Sequence, residues 1–197
     1  MLATRSTPLL VTVVVGVLAA SGCTDSGSDS TDEVPASSGP PETTLEDGTT
    51  APGTELKLGK TATVRYTANP KHASLIDLKV QSVKRGKIKD LEDFELRDAA
   101  KQSNVYYVRA SVENVGGGDL SGQPLALYGQ VSDEMVVPPV EFGSTFDRCD
   151  YDPLPKKFKK SQKAKVCLVF LAPKNGKIRQ VQWRPADNSD PISWSTR

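Results

Sequence analysis

The stretch NVYYVRASVENVG, residues 104–116, decides the fold. Tyr106, Val108, Ala110 and Val112 alternate along it with Tyr107, Arg109, Ser111 and Glu113. Successive side chains of an extended chain point to opposite faces, so this alternation marks a strand with one buried face. The run Gly116-Gly117-Gly118 then breaks it. Working outward, the same period recurs. Ala62, Val64 and Tyr66 alternate with Thr63 and Arg65, and Ile76, Leu78 and Val80 with Asp77, Lys79 and Gln81. Further on, Ala164, Val166, Leu168 and Phe170 alternate with Lys163, Lys165 and Cys167. Shorter candidates span 124–131, 135–142, 177–183 and 191–195. Turn signals lie between them at Pro138-Pro139, at Pro153 with Pro155, and at Asn175-Gly176, the last predicting a hairpin between its flanking strands. Seven or eight short strands over about 140 residues predict an antiparallel β-sandwich. Residues 89–102, KDLEDFELRDAAKQ, lack clear alternation. They read as a sheet-crossing connection, with a short helix as the alternative, in which Leu91, Phe94 and Leu96 plug the core edge.

The N-terminus is an address. In residues 1–23, MLATRSTPLLVTVVVGVLAASGC, one charge, Arg5, precedes an apolar run from Leu9 to Ala20 and then small residues. That is the plan of a secretory signal peptide, and the run is short for a bilayer span. The ending Ala20-Ser21-Gly22-Cys23 resembles a bacterial lipoprotein signal, with Ala20 where Leu is usual. The resemblance implies cleavage after residue 22 and a lipid on Cys23, which would anchor the chain to the outer face of the cell membrane. The alternative is a freely secreted protein with a spare thiol. Residues 23–54 follow as a polar tract rich in Ser, Thr, Pro and Gly, with seven acids and no base. Such composition buries too little apolar surface to offset ordering entropy and predicts a disordered tether, glycosylated or bare. The folded domain is then 55–197.

Charge and residue counts exclude several chemistries. The whole chain of 197 residues has 25 Lys+Arg and 24 Asp+Glu, but the acidic tract leaves residues 55–197 with 24 bases and 17 acids, a net of +7. One histidine, His72, and three cysteines cannot build a multi-histidine metal site or a copper centre of the cupredoxin type. His72 follows Asn69-Pro70-Lys71 in a turn-like stretch and reads as a surface residue. No G-x-S-x-G elbow is present, so nothing supports a serine hydrolase. Asp147, Asp150 and Asp152 surround Arg148 and Cys149 without the glycine and terminal Glu of a calcium loop. With Cys23 given to lipid, Cys149 and Cys167 remain as a pair. Their spacing reads as a structural staple that pins the 149–162 loop across the outer face of the 163–173 strand, since a redox pair favours C-x-x-C. No catalytic residue, metal or cofactor is expected.

Two basic clusters stand out. Lys84, Arg85, Lys87 and Lys89 form one; Lys156, Lys157, Lys159, Lys160, Lys163 and Lys165, interleaved with Phe158, form the other. Basic patches attract polyanions through salt-screened contacts. On an exported protein those anions are lipid head groups or a wall polymer rather than nucleic acid. The plainer reading is that lysines keep edge strands soluble and unpaired.

Three segments, YYVRASVENVGGGDL (106–120), FDRCDYDPLPKKFKKSQKAKVCLVFLAP (146–173) and WRPADNSDPISW (183–194), resemble actinobacterial lipoproteins of the DUF4352 type. The resemblance spans most of residues 56–197, with V-x-N-x-G at Val112–Gly116 as its most recognisable piece. It implies an immunoglobulin-like sandwich at the cell surface, and it brings no catalytic residues. The expectation is therefore a lipid-anchored, non-enzymatic module that binds or scaffolds an envelope protein or polymer. The alternatives are a lysine-rich electrostatic adaptor and an enzyme of unrecognised type.

Overall fold

A computed structural model describes residues 43–149 and 153–197. The expected signal peptide 1–22, Cys23, the expected tether through residue 42, Asp150 and Asp152 lie outside the described residues. Within them the chain forms β1 (Glu55–Lys57), β2 (Thr61–Asn69), β3 (His72–Arg85), β4 (Asn104–Asn114), β5 (Tyr128–Gln130), β6 (Val136–Val137), β7 (Lys163–Ala172), β8 (Gln180–Trp183) and β9 (Ile192–Ser195). The helical content is a 3₁₀ turn at Ile88–Leu91 and a single turn, α1 (Asp98–Lys101). The strands build two sheets, one ordered β2-β3-β4-β7 and the other β1-β9-β8-β5-β6. All pairings are antiparallel except β1 with β9. The fold is the expected all-β, immunoglobulin-like antiparallel sandwich.

The alternation read from the sequence becomes the inter-sheet core. Ala62, Val64, Tyr66, Ile76, Leu78, Val80, Val108, Ala110, Val112, Leu168 and Phe170 face inward from the four-stranded sheet. Val181, Trp183, Ile192 and Trp194 meet them from the other. Fully burying one such aliphatic side chain contributes roughly 1.5–3 kcal/mol. The polar ends of the aromatics are satisfied as well: Trp194 Nε1 donates to Lys60 O at 2.9 Å and the Tyr66 hydroxyl to Pro124 O at 2.7 Å. At Gln81 the register of β3 against β4 shifts, so that Val83, not Ser82, pairs with Val108 and resumes the inward face.

Three expectations are corrected. The tether does not run loose to residue 54, because residues 43–54 are ordered. Asp47 accepts the Thr49 N–H at 2.9 Å, Gly48 and Gly53 take positive φ, and the Thr50 N–H donates to Thr63 O at 2.8 Å beside β2. Turn chemistry and edge pairing order this segment where its composition offers little to bury. Next, Asn175-Gly176 does not close a hairpin. Lys174 and Asn175 adopt positive φ, yet β7 and β8 belong to different sheets, so the turn is a corner between layers. Last, Leu91, Phe94 and Leu96 do not plug the edge of the main core. They cover the outer face of the four-stranded sheet in a second cluster with Val105, Phe146, Cys149, Cys167 and Val169.

Candidate functional site: a lysine ridge and the staple behind it

The ridge is built from the core outward. Leu154 and Phe158 are buried in the main core, with relative exposures of 1% and 0%. The aromatic ring that the sequence interleaves among lysines is thus an anchor rather than part of the exposed surface. Four fastenings hold the backbone around it. Phe158 N–H donates to Ser121 Oγ at 2.9 Å, while Phe158 O accepts from Leu120 N at 3.1 Å and Asn114 Nδ2 at 3.0 Å. Ser161, at φ 67°, donates its N–H to Asn114 O at 2.7 Å.

Asn114 is the hub of this arrangement. It is wholly buried, its Oδ1 accepts from Ser74 Oγ at 2.7 Å, and its Nδ2 donates also to Gly118 O at 2.9 Å. Both N–H donors of the side chain and its carbonyl oxygen are thereby engaged at ordinary hydrogen-bond distances. The glycines of the same turn permit the close approach: a Cβ on Gly118 would overlap the Ala73 carbonyl, and one on Gly116 the Ser74 hydroxyl. The V-x-N-x-G strand end is therefore the joint that fixes the ridge.

With Phe158 pulled inward, Lys156, Lys157, Lys159, Lys160, Lys163 and Lys165 are all exposed. Two of them have carboxylate partners, Lys159 with Asp119 at 3.7 Å and Lys163 with Glu113 at 3.0 Å. The other four have no ion pair among the described residues. Asp119 is held below the ordinary carboxylate range chiefly by the Ser121 hydroxyl and N–H, with Lys159 and His72 adding. His72 begins β3 and places Nδ1 2.8 Å from Asp119 O, so the single histidine borders the ridge as part of the hairpin's fastening. A groove of about 740 Å³ flanks the ridge, lined by Leu154, Pro155, Lys156, Ala164 and Lys165 among others. The first basic cluster stays apart. Lys84 pairs with Tyr107, which pairs with Val169, six residues along β7 from Lys163, or roughly 20 Å at ~3.4 Å per residue.

Cys149 and Cys167 are joined, with Cα atoms 5.1 Å apart. The bridge lies on the outer face of β7, as expected from the strand period. It does not lay the 149–162 loop across that face, however, since Leu154 and Phe158 enter the main core. It pins the segment before Cys149, where Phe142 and Phe146 pack around Phe94 in tilted and edge-to-face contacts with ring centroids 4.3–5.5 Å apart. At the rim of this cluster the Tyr107 hydroxyl donates to Asp90 Oδ2 at 2.9 Å and Arg148 lies 3.6 Å from Asp90. Burial and the Asp90 bond push the Tyr107 hydroxyl up to about 12. Asp90 itself is held low, first by the Lys87 N–H and then by Tyr107 and Arg148. Asp147 is exposed nearby, and among the described residues no group of three or more His, Cys, Asp or Glu could hold a metal ion.

No protein-family model matches the chain, and no curated protein matches it. Among solved structures, it is similar to the crystal structure of MPT63, a secreted protein from Mycobacterium tuberculosis, at 12% identity and a TM-score of 0.49, covering 72% of this chain and 95% of that one.

Proposed function

We propose that this protein is a lipid-anchored, extracytoplasmic and non-enzymatic module that binds anionic material of the cell envelope through the lysine ridge. The observation that carries this reading is the way the ridge is held. Six exposed lysines sit on a backbone fastened by buried Phe158 and Asn114, so the backbone loses no further order when they engage a ligand and the cost is that of the lysine side chains alone. Each contact is weak and salt-screened, and a row of them gives useful affinity for a repeating anion. The signal-like N-terminus supports export, and Cys23 supports anchoring, for which two acyl chains would suffice. Kinship with DUF4352-type lipoproteins belongs to the same proposal and rests on the sequence resemblance over residues 56–197.

The test is retention of the protein on polyphosphate and on vesicles containing phosphatidylglycerol, across a salt series. Retention falls as salt rises and is largely lost when Lys156, Lys157, Lys159 and Lys160 become Gln together. Unchanged retention in that variant would overturn the ridge reading. Mass spectrometry of the mature N-terminus tests the anchor separately: a lipid-modified Cys23 is expected, and an unmodified one refutes anchoring.

A further inference from the structure

The outer face of the five-stranded sheet carries a chemistry opposite to that of the ridge. Over β5, β8 and β9 it presents Tyr128, Gln130, Gln180, Gln182, Ser193 and Ser195, whose strand neighbours Val181, Trp183, Ile192 and Trp194 point into the core. These outward groups are amides and hydroxyls, and the charges on this face, Glu55 and Lys57, lie beyond them on β1, in register with Ser193 and Ser195. Gln182 is only 4% exposed and is held at both ends: its Nε2 donates to Gln130 Oε1 at 3.1 Å, and its Oε1 accepts from Arg184 Nη1 at 2.9 Å. Arg184 is thus oriented by one of its five N–H donors, and among the described residues it has no carboxylate within ion-pair distance.

Beside this row lies a cleft of about 630 Å³, within the range of small-ligand sites. Tyr128 lines it, Glu134 and Val136 flank it from the β5–β6 hairpin, and Arg184 and Asn188 flank it from the loop after β8. An aromatic ring and a valine offer apolar surface, and the side chains around them include both hydrogen-bond donors and acceptors. A polyanion would meet Glu134 in the same cleft. An apolar peptide would bury amides and a guanidinium without partners, at a cost of roughly 1–3 kcal/mol for each group. The ligand that satisfies both kinds of surface has C–H faces and hydroxyls that donate and accept. Neutral amides also cost less to strip of water than charges do.

We propose that this cleft and the adjoining amide row form a binding site for a neutral polysaccharide, with one sugar ring seated on Tyr128 and its hydroxyls hydrogen-bonded to Arg184 and Glu134. Gln130, oriented by the buried Gln182, and Gln180 beside it in register take the next units of the chain. This site is independent of the ridge and of the anchor.

The experiment is an amide- and side-chain-resolved NMR titration of the full chain with N-acetylglucosamine hexamer, maltohexaose and a soluble galactan. At least one of them shifts the resonances of Tyr128, Gln130, Gln182 and Arg184. Its affinity drops about tenfold or more, the equivalent of about 1.4 kcal/mol, in Tyr128→Ala and in Arg184→Gln. Tyr128→Phe, which keeps the ring, stays within about threefold, and thermal unfolding of Arg184→Gln at an exposed site stays close to that of the parent. The binding changes little between about 50 and 200 mM salt and survives replacement of the ridge lysines by Gln, which separates it from the polyanion reading. Absence of shifts at these residues with all three saccharides overturns the proposal. So does affinity that is unchanged in both Tyr128→Ala and Arg184→Gln.

Discussion

The two ends of the outer face of the four-stranded sheet solve one problem in opposite ways. At one end, near Tyr107 and Val169, the face is covered: Leu91, Phe94, Phe142 and Phe146 pack on it and Cys149–Cys167 clamps the cover down. At the other, the register row Thr63, Asp77, Glu113 and Lys163 stays polar, tied by Thr63 Oγ1 to Asp77 at 2.6 Å and Lys163 to Glu113 at 3.0 Å. The covered end makes a local core too small to persist unaided, so a covalent closure stabilises it. The charged end needs no cover, but its lysines need a frame, and that frame comes from the main core through Phe158 and Asn114. One strand, β7, serves both ends: its outward residues change from Lys163 and Lys165 to Cys167 and Val169 midway.

The sharpest way to break the comparison is Phe158→Ala. Removing a fully buried aromatic ring costs about 3–5 kcal/mol. Chemical denaturation reads the loss, and hydrogen exchange shows it centred on residues 154–162, with the cover at 88–96 and 140–149 still protected. The converse variant, Cys149→Ala with Cys167→Ala, costs about 3 kcal/mol, given the 18-residue separation of the bridge. It frees the cover and leaves the ridge protected. If both variants loosened both ends equally, the two ends would be a single cooperative unit and the comparison would fail.

Asn114→Ala sharpens the picture at intermediate size. It removes one acceptor and two donor contacts of a buried amide, and roughly 1–3 kcal/mol follows from the groups left without it. The effect beyond stability is expected on the ridge, as faster exchange at Ser161, whose N–H bonds to Asn114 O. The smallest effect is a pH signature at the covered end. The Tyr107 hydroxyl titrates near 10 in the unfolded chain and at about 12 in the fold. Between those values the unfolded chain has lost a proton that the fold keeps, so stability that is fully present below pH 10 declines as pH rises toward 12. Denaturation midpoints of the parent should fall through this window more than those of Tyr107→Phe. Parallel curves would show that the Asp90–Tyr107 link adds nothing.

Much of the fold is readable one strand at a time. The alternation in 104–114 places Tyr106, Val108, Ala110 and Val112 inward because side-chain direction is a property of the extended backbone alone. The cysteine pairing was readable as well, once the third cysteine was assigned elsewhere. The second core was not. Leu91, Phe94, Phe142 and Phe146 lie in segments without a period, and their common destination on β7 is a matter of long-range packing. The role of Phe158 was hidden for a related reason: a lone aromatic among lysines looks the same in sequence whether it points out or in. On the opposite sheet, Gln130, Gln182 and Arg184 lie up to 54 positions apart in the chain, and only cross-strand register brings their side chains into a row.

The primary structure by itself settled that the chain after its acidic segment is extended strands with one oily side, because a two-residue repeat is enough to specify that. It could not choose partners. Lys174 and Asn175 have the backbone geometry of a tight turn whether the next strand returns to the same sheet or crosses to the other, and the crossing prevails because Val181 and Trp183 can then bury against the opposite layer. Partner choice, the clamped cover and the amide row are properties of the assembled sandwich, where surfaces from distant segments compete for the same buried space.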